Sequence, residues 1–277
     1  MVNQRDYDEP KVEAARAALA EVFRALGEYR EHIMLVGGWV PAMLIREPRE
    51  RHVGSLDVDI ALDHKANMEE CYKQISELMT GLGYTVDAKN RHRFARTVAV
   101  SGEPLVIYVD MLAGEYGGRD KKHRHQHVQE IEARKARGCD LAFEHPLDLQ
   151  IEMTLPNGAK AMVPMRVASV AAFIVMKAFA MRDRRKDKDA YDVVYCLQNY
   201  EGGLEAVAAD FAKFGNHGLV REAMKILLEE FESTTHVGPM SVADFLELPV
   251  GEDRELMLRD AFERVQELVR VVKGGFE

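Results

Sequence analysis

The sequence predicts an α/β front with a small mixed β-sheet, followed by an all-helical C-terminal domain. Three observations predict it. Short apolar runs stopped by glycines or charged loops, the mark of buried strands, crowd the first 163 residues. Two apolar runs between Leu149 and Val163 flank Pro156-Asn157-Gly158, and Asn-Gly in that setting marks a hairpin. Beyond Pro164 the apolar residues fall at helical spacing to the end of the chain. The expected division is therefore 1–163 and 164–277.

The elements follow in order. Val12, Ala15, Leu19, Val22 and Leu26 lie on one face of an opening helix. Ile33-Met34-Leu35-Val36 reads as a buried strand stopped by Gly37-Gly38, and Trp39–Ile45 as a short helix with Pro41 in its first turn. Arg46–Gly54 is a charged loop. Asp57–Leu62 alternates acid and apolar residues, a strand signature. Met68–Leu82 reads as a helix ending at Gly83, and Tyr84–Ala88, Phe94–Val100 and Leu105–Leu112 read as strands. After the hairpin, helices are expected over Val167–Met181, Tyr191–Leu197, Leu204–Phe214, Leu219–Phe231 and Glu255–Val272.

Composition narrows the function classes. Of 277 residues, 47% are hydrophobic and 30% charged, which excludes a disordered or collagen-like chain. With 46 acidic against 37 basic residues the net charge is −9, unsuited to non-specific coating of nucleic acid. Cys71, Cys139 and Cys196 are scattered and odd in number, which points to a reducing cytoplasm rather than a disulfide framework. The polar N-terminus has no apolar signal segment. The longest apolar run, Val167–Met181, contains Lys177 and is shorter than the roughly 20 residues of a membrane span.

Two constellations carry chemistry. In the first, Asp57 and Asp59 are two apart on a strand, so both face one way. Adjacent carboxylates repel, and a divalent cation resolves the repulsion. Mg²⁺ suits the place because it takes one or two carboxylates and completes its shell with phosphate oxygens. Asp110 ends the apolar run Val106–Val109 and would join the pair from a neighbouring strand. Gly37-Gly38, between a strand and a helix start, lets backbone N–H groups approach a phosphate, and Ser55 can add a hydroxyl.

This arrangement resembles the nucleotidyltransferase superfamily with the DNA polymerase β-type core: strand, Gly-Gly, loop, Asp-x-Asp strand, and a later acid. Gly37, Gly38, Asp57, Asp59 and Asp110 match that order. The resemblance implies two Mg²⁺ ions on Asp57, Asp59 and Asp110. It implies transfer of a nucleoside monophosphate from an NTP to an acceptor hydroxyl, with pyrophosphate released. Asp110 would take up the acceptor proton or position the acceptor through a metal.

In the second constellation, Lys177 interrupts an apolar helix, which is costly unless its amine finds water or a partner. A basic run then leads to Asp189 and Asp192, three apart and so on one helix face. Alternatively, Asp189 caps that helix and the two acids pair with the basic loop, while Lys177 snorkels at a domain interface. Lys177, the basic run and Lys188-Asp189-Ala190-Tyr191-Asp192 resemble the second half of the AbiEii-type toxin nucleotidyltransferases. The likeness covers Ile33–Leu62, Leu105–Leu112 and Leu149–Leu197. It implies that Lys177 contacts NTP phosphates, that Asp189 and Asp192 shape the site, and that the helical domain closes over the nucleotide. It also implies a toxin–antitoxin or phage-defence role with an antitoxin partner. One departure stands out: that family usually has a basic residue just before the Ser or Thr ahead of Asp-x-Asp, where this chain has Gly54, with Arg51 and His52 upstream.

Residues 119–137 hold seven basic residues against three acidic ones, a local excess that offers RNA or a triphosphate a landing site. The alternative is a solvated loop. His123, His125 and His127 alternate within it, but without a nearby Cys or fourth ligand they make a poor zinc site. Two rival functions share the core: transfer to a small cationic molecule such as an aminoglycoside, and a non-catalytic scaffold.

Overall fold

The computed structural model describes residues 3–63, 69–114, 125–128 and 131–275. They form two compact units, a sheet unit of residues 7–40 and 54–168 and a helical unit of residues 1–6, 41–53 and 169–277. Where the sequence suggests one division at 163/164, the chain passes between the units four times.

In the sheet unit, α1 (Glu9–Ala25) starts at Asp8, whose side chain accepts the Lys11 N–H at 3.0 Å. It buries Ala15, Leu19, Val22 and Phe23. The strands are β1 (Ile33–Val36), β2 (Asp57–Leu62), β3 (Thr85–Val86), β4 (Arg93–Val100), β5 (Glu103–Ala113), β6 (His125–Val128), β7 (Ile131–Lys135), β8 (Leu147–Thr154) and β9 (Lys160–Val167). Their order is β3-β4-β5-β2-β1-β9-β8, with β7 pairing both β5 and β6. The sheet is mixed: β2 runs parallel to β5 and antiparallel to β1, and β1 is parallel to β9. α3 (Glu69–Gly81) also belongs to this unit. At the β8–β9 turn Gly158 takes φ +82°, and the Asn157 side chain accepts the Ala159 N–H.

The helical unit holds most of α2 (Val40–Leu44) and all of α4 (Val170–Arg184), α5 (Asp187–Asn199), α6 (Gly203–Ala212), α7 (Gly218–Glu230), α8 (Val237–Phe245) and α9 (Glu252–Gly274). α4 is apolar on nearly every side and is buried almost throughout, packed by α5, α6 and α7. No helix among the described residues is long and apolar enough to cross a membrane.

Three expectations change. The helix expected from Val167 starts three residues later. Val167 still pairs with Leu35 and Leu147, the Ala168 N–H donates to Leu35, and Ser169 caps α4. The basic stretch contains β6 and β7, with Leu112 and Ala113 of β5 paired to Arg134 and Lys135. Between α7 and α9 a further helix, α8, forms. Pro239 falls in its first turn, where no N–H is needed, and Gly238 packs so tightly on Phe231 that a Cβ would come within 2.6 Å of the ring.

Candidate active site

The sheet unit gathers the first constellation. β1 ends in a tight 3-10 turn, Gly37–Trp39, and its last residue pairs with Asp59 across the β1–β2 ladder. Gly37 has φ +71°, and a Cβ there would overlap the Asp59 carboxylate. Any side chain at position 37 would therefore clash as well as strain the backbone. Asp57 and Asp59 are partly exposed on one face of β2, whereas Val58 and Ile60 are buried on the other. The parallel ladder sets Asp57 against Tyr108 and Asp59 against Asp110. Asp110 thus stands beside Asp59 and points the same way.

Asp110 is 3% exposed, and both its oxygens are engaged. Arg93 donates from Nε to Oδ1 at 2.6 Å and from Nη2 to Oδ2 at 2.7 Å, a two-pronged pair. The guanidinium also lies 4.5 Å from the centre of the Tyr108 ring. Hydrogen bonding to Asp110, against the penalty of burial and with further attraction from Asp110 and Asp57, holds Arg93 above the ordinary arginine range. Sequence reasoning missed Arg93. The signal was the hairpin turn at Ser101-Gly102: counting back from Val100 opposite Glu103 brings Arg93 opposite Asp110.

The donor chemistry suits a hard divalent ion at Asp57 and Asp59. Among the described residues, no three His, Cys, Asp or Glu side chains gather closely enough to hold a metal by themselves. The set that fits is a carboxylate pair completed by phosphate oxygens, as Mg²⁺ favours. Ser55 lies just before β2 and is partly exposed. The neighbouring Gly54 has a structural reason to replace a basic residue. Its φ is +79°, and a Cβ would come within 2.7 Å of Val12 and 3.4 Å of Trp39.

The helical unit gathers the second constellation into a buried charge cluster. Lys177 Nζ lies 2.7 Å from Asp189 and 2.6 Å from Asp192, with its side chain 7% exposed. Arg184 grips Asp189 with two bonds of 2.7 Å, and Lys188 reaches Asp192 at 2.8 Å. Burial alone would depress Lys177, but Asp189 and Asp192 outweigh it and hold the ammonium above the usual lysine range. Lys188, sharing Asp192 with another cation, is pushed down by burial and by Lys177. Burial works against ionising Asp192, yet Lys177, Lys188 and His52 hold it far below the carboxylate range. Asp189 lies within the first turn of α5, whose cap is Lys186, so it is not the helix cap.

The segment 41–53 is clasped onto α5 within the same unit. His52 Nε2 donates to Asp192 at 2.9 Å, and its ring meets Tyr191 and Tyr195 at 5.5 and 4.7 Å between centroids. Tyr195 donates to the Glu50 carbonyl at 2.8 Å, and the Arg49 N–H donates to Asn199 at 3.1 Å. Burial first, with Lys188 and Lys177 adding and Asp192 opposing, pushes His52 down to about 4, so the ring is neutral at pH 7. His52 is thus an internal partner of Asp192, while Arg51 is exposed.

Gly37, Gly38, Ser55, Asp57, Asp59 and Asp110 therefore belong to the sheet unit, and Lys177, Asp189 and Asp192 to the helical unit. His123 and much of the 119–137 stretch lie outside the described residues. A strand leading through a glycine turn, an Asp-x-Asp strand antiparallel to it and an acid in register on the next strand define a nucleotidyltransferase-type core. The family described as Nucleotidyltransferase matches residues 14–198, well over half of the chain, and the chain belongs to it. No curated protein matches the chain.

Proposed function

We propose that the chain transfers a nucleoside monophosphate from an NTP to an acceptor hydroxyl and releases pyrophosphate, with Mg²⁺ held by Asp57 and Asp59. One observation carries the reading: two carboxylates share a face of β2 directly beside the Gly37 turn, in a chain of a nucleotidyltransferase family. Bound Mg²⁺ would supply charge neutralisation of the triphosphate and polarise the phosphorus under attack. Asp57 and Asp59 fix where the triphosphate lies. The backbone N–H groups of the Gly37–Trp39 turn and the Ser55 hydroxyl provide phosphate donors. Alignment and charge complementarity supply most of the acceleration. Lys177, Asp189 and Asp192 act on this reading by fixing α4, α5 and the 41–53 clasp.

RNA is the proposed acceptor, supported by the basic excess of residues 119–137 in an otherwise acidic chain. The toxin–antitoxin or phage-defence setting, with an antitoxin partner, rests on the AbiEii-type resemblance, which is narrower than the family match. Incubation with labelled NTPs, Mg²⁺ and total RNA tests the reading. A labelled RNA band, lost with EDTA, is expected. Label on a small molecule alone would move the acceptor to that class, and no transfer to any acceptor would favour a scaffold.

A further inference from the structure

The superfamily pattern assigns three acids to the metals, but the third is differently placed here. Both Asp110 oxygens accept N–H bonds from Arg93, at 2.6 and 2.7 Å, in the planar fork geometry that matches a carboxylate. Arginine does not give up its proton in proteins, so this partner cannot be neutralised to free the acid. The pair is locked on three sides. Arg93 and Asp110 are opposite residues in a ladder that continues to Val100 and Glu103. The Tyr108 ring supports the guanidinium at 4.5 Å. Asp110 is 3% exposed, so solvent cannot take over from Arg93 if the pair opens.

We infer that Asp110 is a positioning residue rather than a metal ligand. It holds Arg93 as a fixed cation beside Asp57 and Asp59, and those two carboxylates alone bind the divalent ion. This rests on the proposed metal site at Asp57 and Asp59. The sheet face then needs less positive charge from solution than three ionised acids would. Removing the guanidinium should therefore raise metal affinity by releasing Asp110, whereas removing the Asp110 charge leaves Arg93 unpaired near Asp57 and should weaken binding by charge alone, well short of losing a ligand.

Mn²⁺ titration of the full chain without nucleotide, reading free Mn²⁺ by EPR, tests this. Asp57→Asn should weaken binding by about tenfold or more. Asp110→Asn should weaken binding by no more than about threefold, the effect of the unpaired Arg93 charge rather than of a lost ligand. Arg93→Gln should bind roughly tenfold tighter, because Asp110 then joins the donor set, and Arg93→Lys, which keeps the charge, should stay near the unaltered value. Thermal melting reports whether each variant folds. If Arg93→Gln does not fold, Asp110→Asn decides alone. Weakening by Asp110→Asn to the extent of Asp57→Asn would overturn the inference, as would a folded Arg93→Gln with unchanged affinity. If Asp57→Asn itself changes nothing, the metal site at Asp57 and Asp59 is lost and the inference falls with it.

Discussion

Two pairs of acids invite comparison. Asp57 and Asp59 share a face because strands repeat every two residues, and Asp189 and Asp192 because helices bring i and i+3 together. The helical pair is buried, and Lys177, Lys188, Arg184 and His52 surround it. The strand pair remains partly exposed beside a glycine turn. One charge conflict is settled with the protein's own cations and serves stability. The other is partly exposed beside the glycine turn with the Arg93 charge acting on Asp57, and on the proposed reading it also takes a divalent ion. Two acids on one face are therefore not in themselves a metal site. What surrounds them decides.

The largest expected effect tests the stability half of that contrast. Lys177→Met removes the ammonium shared by Asp189 and Asp192 and should lower unfolding stability by about 3–5 kcal/mol in urea titrations. A loss under about 1 kcal/mol would show that Arg184 and Lys188 suffice. Acid should probe the same cluster. The unfolded His52 ring titrates near 6.5 and the folded one near 4, so between those values the unfolded chain binds more protons. This contribution to stability is complete above pH 6.5 and declines as pH falls, by on the order of 3 kcal/mol at pH 4. Denaturation curves at pH 7 and 4.5 should show it, with a flatter dependence in His52→Gln.

Asp57→Asn tests the other half. Transfer should fall by about a hundredfold or more, near 2.7 kcal/mol in barrier, while stability changes by no more than about 0.5 kcal/mol. A variant that melts early but retains turnover would invert the contrast. The smallest effect belongs to the clasp: Tyr195→Phe removes one hydrogen bond to Glu50 and should cost about 1 kcal/mol of stability.

Much of this was legible in the sequence, for local reasons. The β2 alternation, the Gly-Gly turn and the Asn-Gly hairpin are short-range signals, and they placed Asp57, Asp59 and Gly37 correctly along the fold. Lys177 was visible as an anomaly in an apolar helix. Its partners were not, because α4 and α5 meet through a bend at Arg185, whose φ of +47° no simple rule assigns to arginine. Arg93 required a strand register, which one missed turn conceals. α8 was hidden by Gly238-Pro239, which reads as a break, and β6 and β7 by the polar and basic sequence of the 119–137 stretch, which mimics a loop.

The clasp also carries a cost in time. His52 and Asp192 are 140 residues apart, yet they bond within one unit. On a ribosome adding about 5–20 residues per second, the clasp segment is made roughly 7–30 s before the helix that receives it. Throughout that interval His52 has no Asp192 to meet, and the helical unit can close only after α5 has been synthesised. A single cut at 163/164 would make the wait permanent, because the fragment 164–277 would keep Asp192, Tyr191 and Tyr195 but lack the segment they hold.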